Sequence, residues 1–255
     1  MIANYHTHTA RCGHASGAEE EYVQNALASG MSVLGFADHG PYCYPDGFVS
    51  GIRMLPEELP GYVDTVLQLR QKYQGKIDIL LGLEGEYYPA LFEKTLAFWK
   101  ENGIEYLILG QHFLDNDMGA PYCGRATDDE DILSRYCRQA IAGMETGMFS
   151  YFAHPDLIHY EGDEKIYRNH IRPLCQAAKA LGLPLEINLL GLGTGRHYPR
   201  RLFWEIAAEE GCQAVLGWDA HTPDWLSIPE TVENARKLAS ELGIPLLETV
   251  PLRKL

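Results

Sequence analysis

Short apolar runs alternate with amphipathic stretches along this chain. The runs lie at residues 1–5, 31–37, 77–83, 104–109, 149–153, 184–187 and 213–217. They are largely uninterrupted rather than alternating, as expected of strands buried on both faces. Residues 17–29, 56–73, 91–101, 128–146, 164–181, 201–210 and 229–242 read as the helices between them. The first has an acidic opening turn and stops at Gly30, and Thr127 can cap the fourth. Residues 245–249 are a short extra strand or a packed tail, and long loops cover 42–54 and 114–127. Strict strand–helix alternation predicts an α/β fold with a parallel sheet, and seven units suit a barrel better than an open sheet. No repeat, low-complexity stretch or linker divides residues 1–255, so one domain is expected.

Composition adds limits. With 46% hydrophobic and 22% charged residues the chain has the material for one large core and does not read as disordered. No apolar run approaches a membrane span and no basic leader opens the sequence, so a soluble cytoplasmic protein is expected. The six cysteines are scattered with no C-x-x-C pair, which points to free thiols, Cys137 and Cys175 as core filler. A net charge of −14 disfavours nucleic acid or an anionic membrane as partner. It does not oppose an anionic small molecule held by a local cation, which reverses the sign of its surroundings.

The chemistry lies where the apolar runs end. The first run ends in His6-x-His8, two imidazoles that a strand presents on one face. His14 follows on a loop with Gly13 and Gly17. Asp38 and His39, Glu84, His112, His154, and Asp219 with His221 each follow another strand. Only the sixth strand ends otherwise, in Asn188 and a glycine-rich loop, 189–196, that carries Arg196. In a parallel barrel all C-terminal strand ends share one mouth, where such folds keep their active sites. Unrelated core or capping histidines would not fall at equivalent positions. Imidazole with carboxylate suits zinc, iron or manganese better than magnesium or calcium.

These motifs resemble the polymerase and histidinol phosphatase (PHP) family of metal-dependent phosphoesterases. The resemblance rests on His6-x-His8 with His14, Asp38-His39, Glu84, His112, His154-Pro-Asp156 and Asp219-x-His221, and it runs the length of the chain. It implies a distorted (β/α)7 TIM-like barrel. The stretches HTHTARCGHASG, AHPDLI, EINLLGLGTGRHYP and GWDAH are most similar to the stand-alone histidinol phosphatase branch. The resemblance implies three divalent transition metal ions, zinc, iron or manganese. His6, His8, Glu84 and Asp219 would hold the first; His14, His39 and His221 the second; His112 and His154 the third, with Glu84 bridging. It implies hydrolysis of a small phosphate monoester, L-histidinol phosphate, by a hydroxide held between the ions, with Asp219 and His221 at the reacting centre.

Arg196, on its glycine-rich loop, is the expected phosphate clamp, because a guanidinium matches phosphate in a bidentate fork. Arg200 and Arg201 read as surface charges opening a helix. The branch often carries an arginine shortly after the His-Pro-Asp-like motif; here the stretch is Leu157-Ile158-His159-Tyr160, with His159 as its candidate replacement. His197 is a further substrate-binding candidate, and His197 and Asp156 are the candidates for protonating the leaving oxygen. His170 reads as an ordinary helix residue. Other readings are a PHP phosphoesterase for nucleoside monophosphates or short oligonucleotides, an amidohydrolase-type enzyme, and a metal-stabilised scaffold. No lysine follows a strand at the mouth, against the second, and no expected ligand is missing, against the third.

Overall fold

The computed structural model describes residues 1–255, the side chain of Asp46 excepted. Eight parallel strands run in chain order: β1 (Ala3–Asn4), β2 (Val33–His39), β3 (Asp78–Gly85), β4 (Tyr106–Leu109), β5 (Phe149–Phe152), β6 (Leu185–Asn188), β7 (Ala214–Gly217) and β8 (Leu246–Leu247). Helices α1 (Glu19–Ala28), α2 (Leu59–Lys72), α3 (Phe92–Glu101), α4 (Glu130–Glu145) and α5 (Glu164–Ala180) each cross over between successive strands. The pair α6 (Leu189–Thr194) and α7 (Arg201–Glu209) links β6 to β7, and α8 (Pro229–Leu242) precedes β8. No described helix is long and apolar enough to cross a membrane. All six cysteines are free thiols, with Cys137 and Cys175 buried in the core.

The sheet curls until its ends meet at the C-terminal mouth. Thr7, beyond β1, bridges in parallel to Ala220, beyond β7. The backbone N–H of His8 donates to Ala220 at 3.0 Å, and that of Ala220 to His6 at 3.2 Å. At the opposite end β8 extends β7, pairing Ala214 with Leu246. The barrel is therefore tied shut where the histidines emerge and filled from below. Tyr5, Tyr106, Tyr151 and Ile108 occupy its interior, with Val250 packed against them. The Tyr106 hydroxyl lies 2.9 Å from the Tyr5 carbonyl and 3.2 Å from that of Phe36, so its polar tip is satisfied inside. A Cβ on Gly82 would overlap the Tyr106 ring, so only glycine leaves room there. The larger core lies outside, where β2 and the other strands meet Tyr22, Trp99, Tyr136 and Trp204 from the helices.

Three local expectations are corrected. Strands β2 and β3 run on through His39 and Gly85, so Asp38, His39 and Glu84 lie within strands, and His39 is the register partner of Glu84. Polar side chains at the mouth do not end the ladder, because the backbone groups still pair. Helix α4 is capped by Asp129, whose carboxylate accepts from Asp131 N at 2.9 Å; Thr127 accepts from Asp129 N instead. The segment 189–196 is not all loop: Asn188 caps α6, and Gly195 ends it at φ 67°. Leu189 joins the core with Leu192 packed against it, Leu190 lines the mouth, and Gly191 and Gly193 sit where space is short, so helix packing outweighs glycine's low propensity.

Candidate metal centre

Six strand ends deliver all nine expected ligands to one mouth. His6 Nε2 stands 3.6 Å from Glu84 Oε2 and 3.5 Å from Asp219 Oδ1. His8 Nε2 stands 3.6 Å and 3.1 Å from the same two oxygens. A metal bound at about 2.0–2.2 Å by each donor separates neighbouring donor atoms by about 3.0–3.6 Å; each of these four pairs has that spacing, and the ligand atoms of His6, His8 and Asp219 lie within 4.8 Å of one another. His14, His39 and His221 form a second group, with ligand atoms within 4.8 Å of one another. On the far side of Glu84, its Oε1 lies 2.9 Å from His154 Nε2 and 3.7 Å from His112 Nε2. Glu84 thus touches both flanks of the cluster. Gly110 permits this, since a Cβ there would overlap the Glu84 carboxyl.

The residues fit metal binding on an independent count. His6 Nε2, His8 Nε2, His39 Nδ1 and Glu84 Oε2 are buried and make no well-aligned hydrogen bond, although His39 Nδ1 and Glu84 Oε2 stand 2.9 Å apart. Leaving such atoms unsatisfied costs about 1–3 kcal/mol each, and here they converge on one another. The opposite ring nitrogens are held. His6 Nδ1 meets Glu186 Oε2 at 2.9 Å, and His8 Nδ1 meets Asp38 Oδ1 at 3.3 Å. His14 Nδ1 and His221 Nδ1 meet the backbone carbonyls of Cys12 and Asp219, each at 2.9 Å. Carboxylates and carbonyls in this position fix the tautomer and aim the free nitrogen inward. Glu186 was not anticipated, because a lone acid inside the four-residue strand LEIN carries no spacing signal. Glu86, next to His112, was missed because it follows Glu84 by two residues just past β3 and its partner lies 26 residues on.

The charge balance also calls for cations. Burial pushes the Glu84 carboxyl up, but His39, His112 and His6 outweigh it and hold it well below the carboxylate range. Asp219 is held down in the same way, burial being outweighed chiefly by His6 and His8. Burial, with His8 nearby, drives His221 down to about 3, and burial drives His39 well below its usual value. The opposite holds for their neighbours: against the cost of burial, Glu186, Asp219 and Glu84 raise His6 to about 10, and His8 and His154 are raised by nearby carboxylates, so ionised carboxylates draw positive charge into the cluster where bound cations would supply it. His154 and Asp219 adopt left-handed backbone, φ 31° and 50°, which is uncommon outside glycine and concentrates at functional sites.

A cavity of about 480 Å³ opens onto the mouth, lined by His14, His39, His112, Asp219 and His221, and by Ile52, Tyr122, Leu157, Arg196 and Tyr198. Both long loops contribute to it, through Ile52 and Tyr122. The buried His6 and His8 sit behind it, while the exposed His14 and half-buried His221 face it. Arg196 reaches the wall with its Nη1 donating to the Tyr198 hydroxyl at 2.6 Å. Tyr122 and Tyr198 were not singled out in the sequence, since isolated tyrosines in loops carry no periodic signal.

His159 and His197 are not brought to this wall. They stack on each other, ring centroids 3.9 Å apart, and His197 Nε2 donates to the Leu157 carbonyl at 2.7 Å. Asp156 is fully buried, accepting from Arg200 N at 2.6 Å and Trp204 Nε1 at 3.1 Å. Neither candidate for the leaving-group proton lines the cavity. Arg200 is half-buried rather than a surface charge, its guanidinium 4.0 Å from the Tyr167 ring centroid, whereas Arg201 is exposed. His170 pairs with Glu130 at 3.0 Å on the outer helices.

Comparison with known proteins places this architecture. The model of the PHP domain matches residues 4–189. The chain is 30% identical over 242 residues to a probable histidinol-phosphatase of Deinococcus radiodurans, covering 87% of each. It is 25% identical to a probable histidinol-phosphatase of Schizosaccharomyces pombe, covering 88% of this chain and 81% of that one. Its fold is similar to that of histidinol phosphate phosphatase from Lactococcus lactis, solved with zinc, L-histidinol and phosphate. The TM-score is 0.76 at 19% identity, covering 98% of this chain and 96% of that one. The putative histidinol phosphatase of Listeria monocytogenes matches at TM-score 0.74 and 20% identity, covering 90% and 99%.

Proposed function

Because the chain belongs to the PHP family, we propose that it is a metal-dependent phosphomonoesterase that hydrolyses L-histidinol phosphate to L-histidinol and phosphate. The observation that carries the reading is the set of convergent, buried donors of His6, His8, His39 and Glu84 behind a cavity that holds Arg196. In this reading His6, His8, Glu84 and Asp219 would hold one ion, His14, His39 and His221 a second, and His112 and His154, beside Glu84, a third. Bound divalent ions supply charge neutralisation for the phosphoryl group and lower the pKa of water.

The chain's own groups supply the rest. Asp219 and His221 present ligand atoms at the cavity floor, so a phosphate seated there meets the centre directly. Arg196 approaches from the wall, and its hydrogen bond to Tyr198 limits the rotamers that its guanidinium must give up on binding. Tyr122, Ile52 and Leu157 form an apolar side suited to the organic part of a small ester. A cavity of about 480 Å³ suits a monoester better than a polymer, and the net charge of −14 offers no broad surface for nucleic acid.

The test is turnover of histidinol phosphate beside nucleoside monophosphates, with metal content measured on the same sample. Preference for histidinol phosphate in metal-replete protein is the expected result. Faster cleavage of nucleotides would favour the nucleotide-directed reading. A metal-loaded protein that cleaves no phosphate monoester overturns the proposal.

A further inference from the structure

We infer that Arg53 is a positioning residue for His112, acting through Glu86, and that it anchors the two mouth loops to the His112 metal position. The inference rests on the reading of His112 as a ligand.

Arg53 comes from the loop 42–54 yet is only 4% exposed. Its Nη2 pairs with Glu86 Oε1 and donates to the Tyr88 hydroxyl at 2.9 Å. Its Nε donates to Asp117 Oδ2, on the other long loop, at 3.1 Å. Asp117 also accepts from Ser50 Oγ at 2.6 Å and from the Tyr44 hydroxyl. One guanidinium therefore joins the first loop to the second and both to Glu86, just past β3.

Glu86 is fully buried, and both of its oxygens are committed. Oε2 accepts from the backbone N–H of His112 at 2.9 Å and of Phe113 at 3.0 Å. Oε1 lies 3.3 Å from His112 Nδ1. That approach does not complete a hydrogen bond; it is the two backbone bonds at Oε2 that fix the His112 segment, with Nε2 directed toward Glu84. His6 and His8 are also backed by carboxylates, Glu186 and Asp38, but those come from strands β6 and β2. The carboxylate behind His112 is instead held by a cation on a loop, since Arg53 Nη2 pairs with its Oε1. Removing Arg53 leaves Glu86 buried without the partner that holds its Oε1, and frees both loops from their shared anchor.

The test compares wild type, His112→Ala, the charge-free double variant Arg53→Met/Glu86→Gln, and Arg53→Lys. The readouts are metal content per chain, affinity of the weakest-held ion by chelator competition, and thermal melting of the stripped protein. The double variant removes the Arg53 and Glu86 charges together but leaves buried Asp117 held only by Ser50 and Tyr44, so its stripped form folds and melts below wild type. It holds its weakest ion about 10- to 100-fold less tightly, the usual effect of losing a carboxylate behind a ligating histidine. Placed on His112→Ala, the double change causes no further loss of metal. Arg53→Lys keeps the charge but not the fork, and gives a smaller weakening. Wild-type metal affinity in the double variant, or in Arg53→Lys should the double variant not fold, overturns the inference. His112→Ala with unchanged metal content overturns the ligand reading beneath it.

Discussion

Glu84 is reached by His6, His8, His39, His112 and His154, and it has this freedom because Gly110 carries no side chain. Gly110→Ala should therefore displace the carboxylate rather than merely strain the strand. Overpacking of this kind costs about 1–3 kcal/mol. The expected outcome is a lower melting temperature together with reduced metal content, measured by denaturation and elemental analysis on one preparation. A stability loss with full metal content would show that Glu84 can be spared. Glu186→Gln probes the opposite side: it keeps the volume but removes the negative charge behind His6. Metal affinity should fall about 10- to 100-fold, read by chelator competition. The strand-end histidines were legible in the sequence because each closes an apolar run, so position alone gave their address. Glu186 and Glu86 were not, because their partners lie 180 and 26 residues away and no local pattern marks them.

At the scale of elements, the short helix α6 decides where Arg196 points. Asn188 caps it by accepting from Gly191 N at 2.8 Å, while its amide donates to Glu186 Oε1 at 2.8 Å and Asp219 Oδ2 at 3.1 Å. One side chain thus starts the helix and braces two carboxylates of the centre. Loss of an N-cap costs about 1 kcal/mol, so Asn188→Ala should lower stability by at least that amount and weaken metal binding as well. Arg196→Ala, just beyond the same helix, should raise KM for phosphate monoesters about tenfold, the loss of roughly 1.4 kcal/mol of charge-assisted hydrogen bonding. Steady-state kinetics separate this from damage to the centre, which would lower kcat. The glycines of LLGLGTG hid this helix from propensity reasoning, since tertiary contacts, not local preference, hold it. The longer amphipathic helices were legible because their apolar faces repeat over several turns, and their ends moved by at most three residues, the largest shift being the start of α2 from 56 to Leu59.

At the scale of the molecule, chemistry and filling occupy opposite ends of one barrel. Seven strand–helix units could be counted from the sequence, but not the way the barrel closes. That depends on Thr7 meeting Ala220 across the chain, and on residues beyond β8 entering from below. Val250 packs against the inner tyrosines, its N–H 3.2 Å from the Tyr5 hydroxyl. Arg253 N donates to Ser150 Oγ at 3.0 Å, and Leu255 N to the Glu105 carbonyl at 3.2 Å. Deleting residues 250–255 uncovers the lower barrel and removes these bonds. Burial of one valine is worth about 1.5–3 kcal/mol, and each hydrogen bond adds about 1 kcal/mol; the deletion should cost several kcal/mol. Chelation should destabilise the intact protein separately, because a metal that binds only the folded state adds about 4 kcal/mol at a thousandfold excess over its Kd. Perturbations without shared partners add to within about 0.5 kcal/mol. Deletion and chelation should therefore lower unfolding free energy by the sum of their single effects. A deletion that also strips the metal would show instead that the filled end of the barrel holds the mouth in shape.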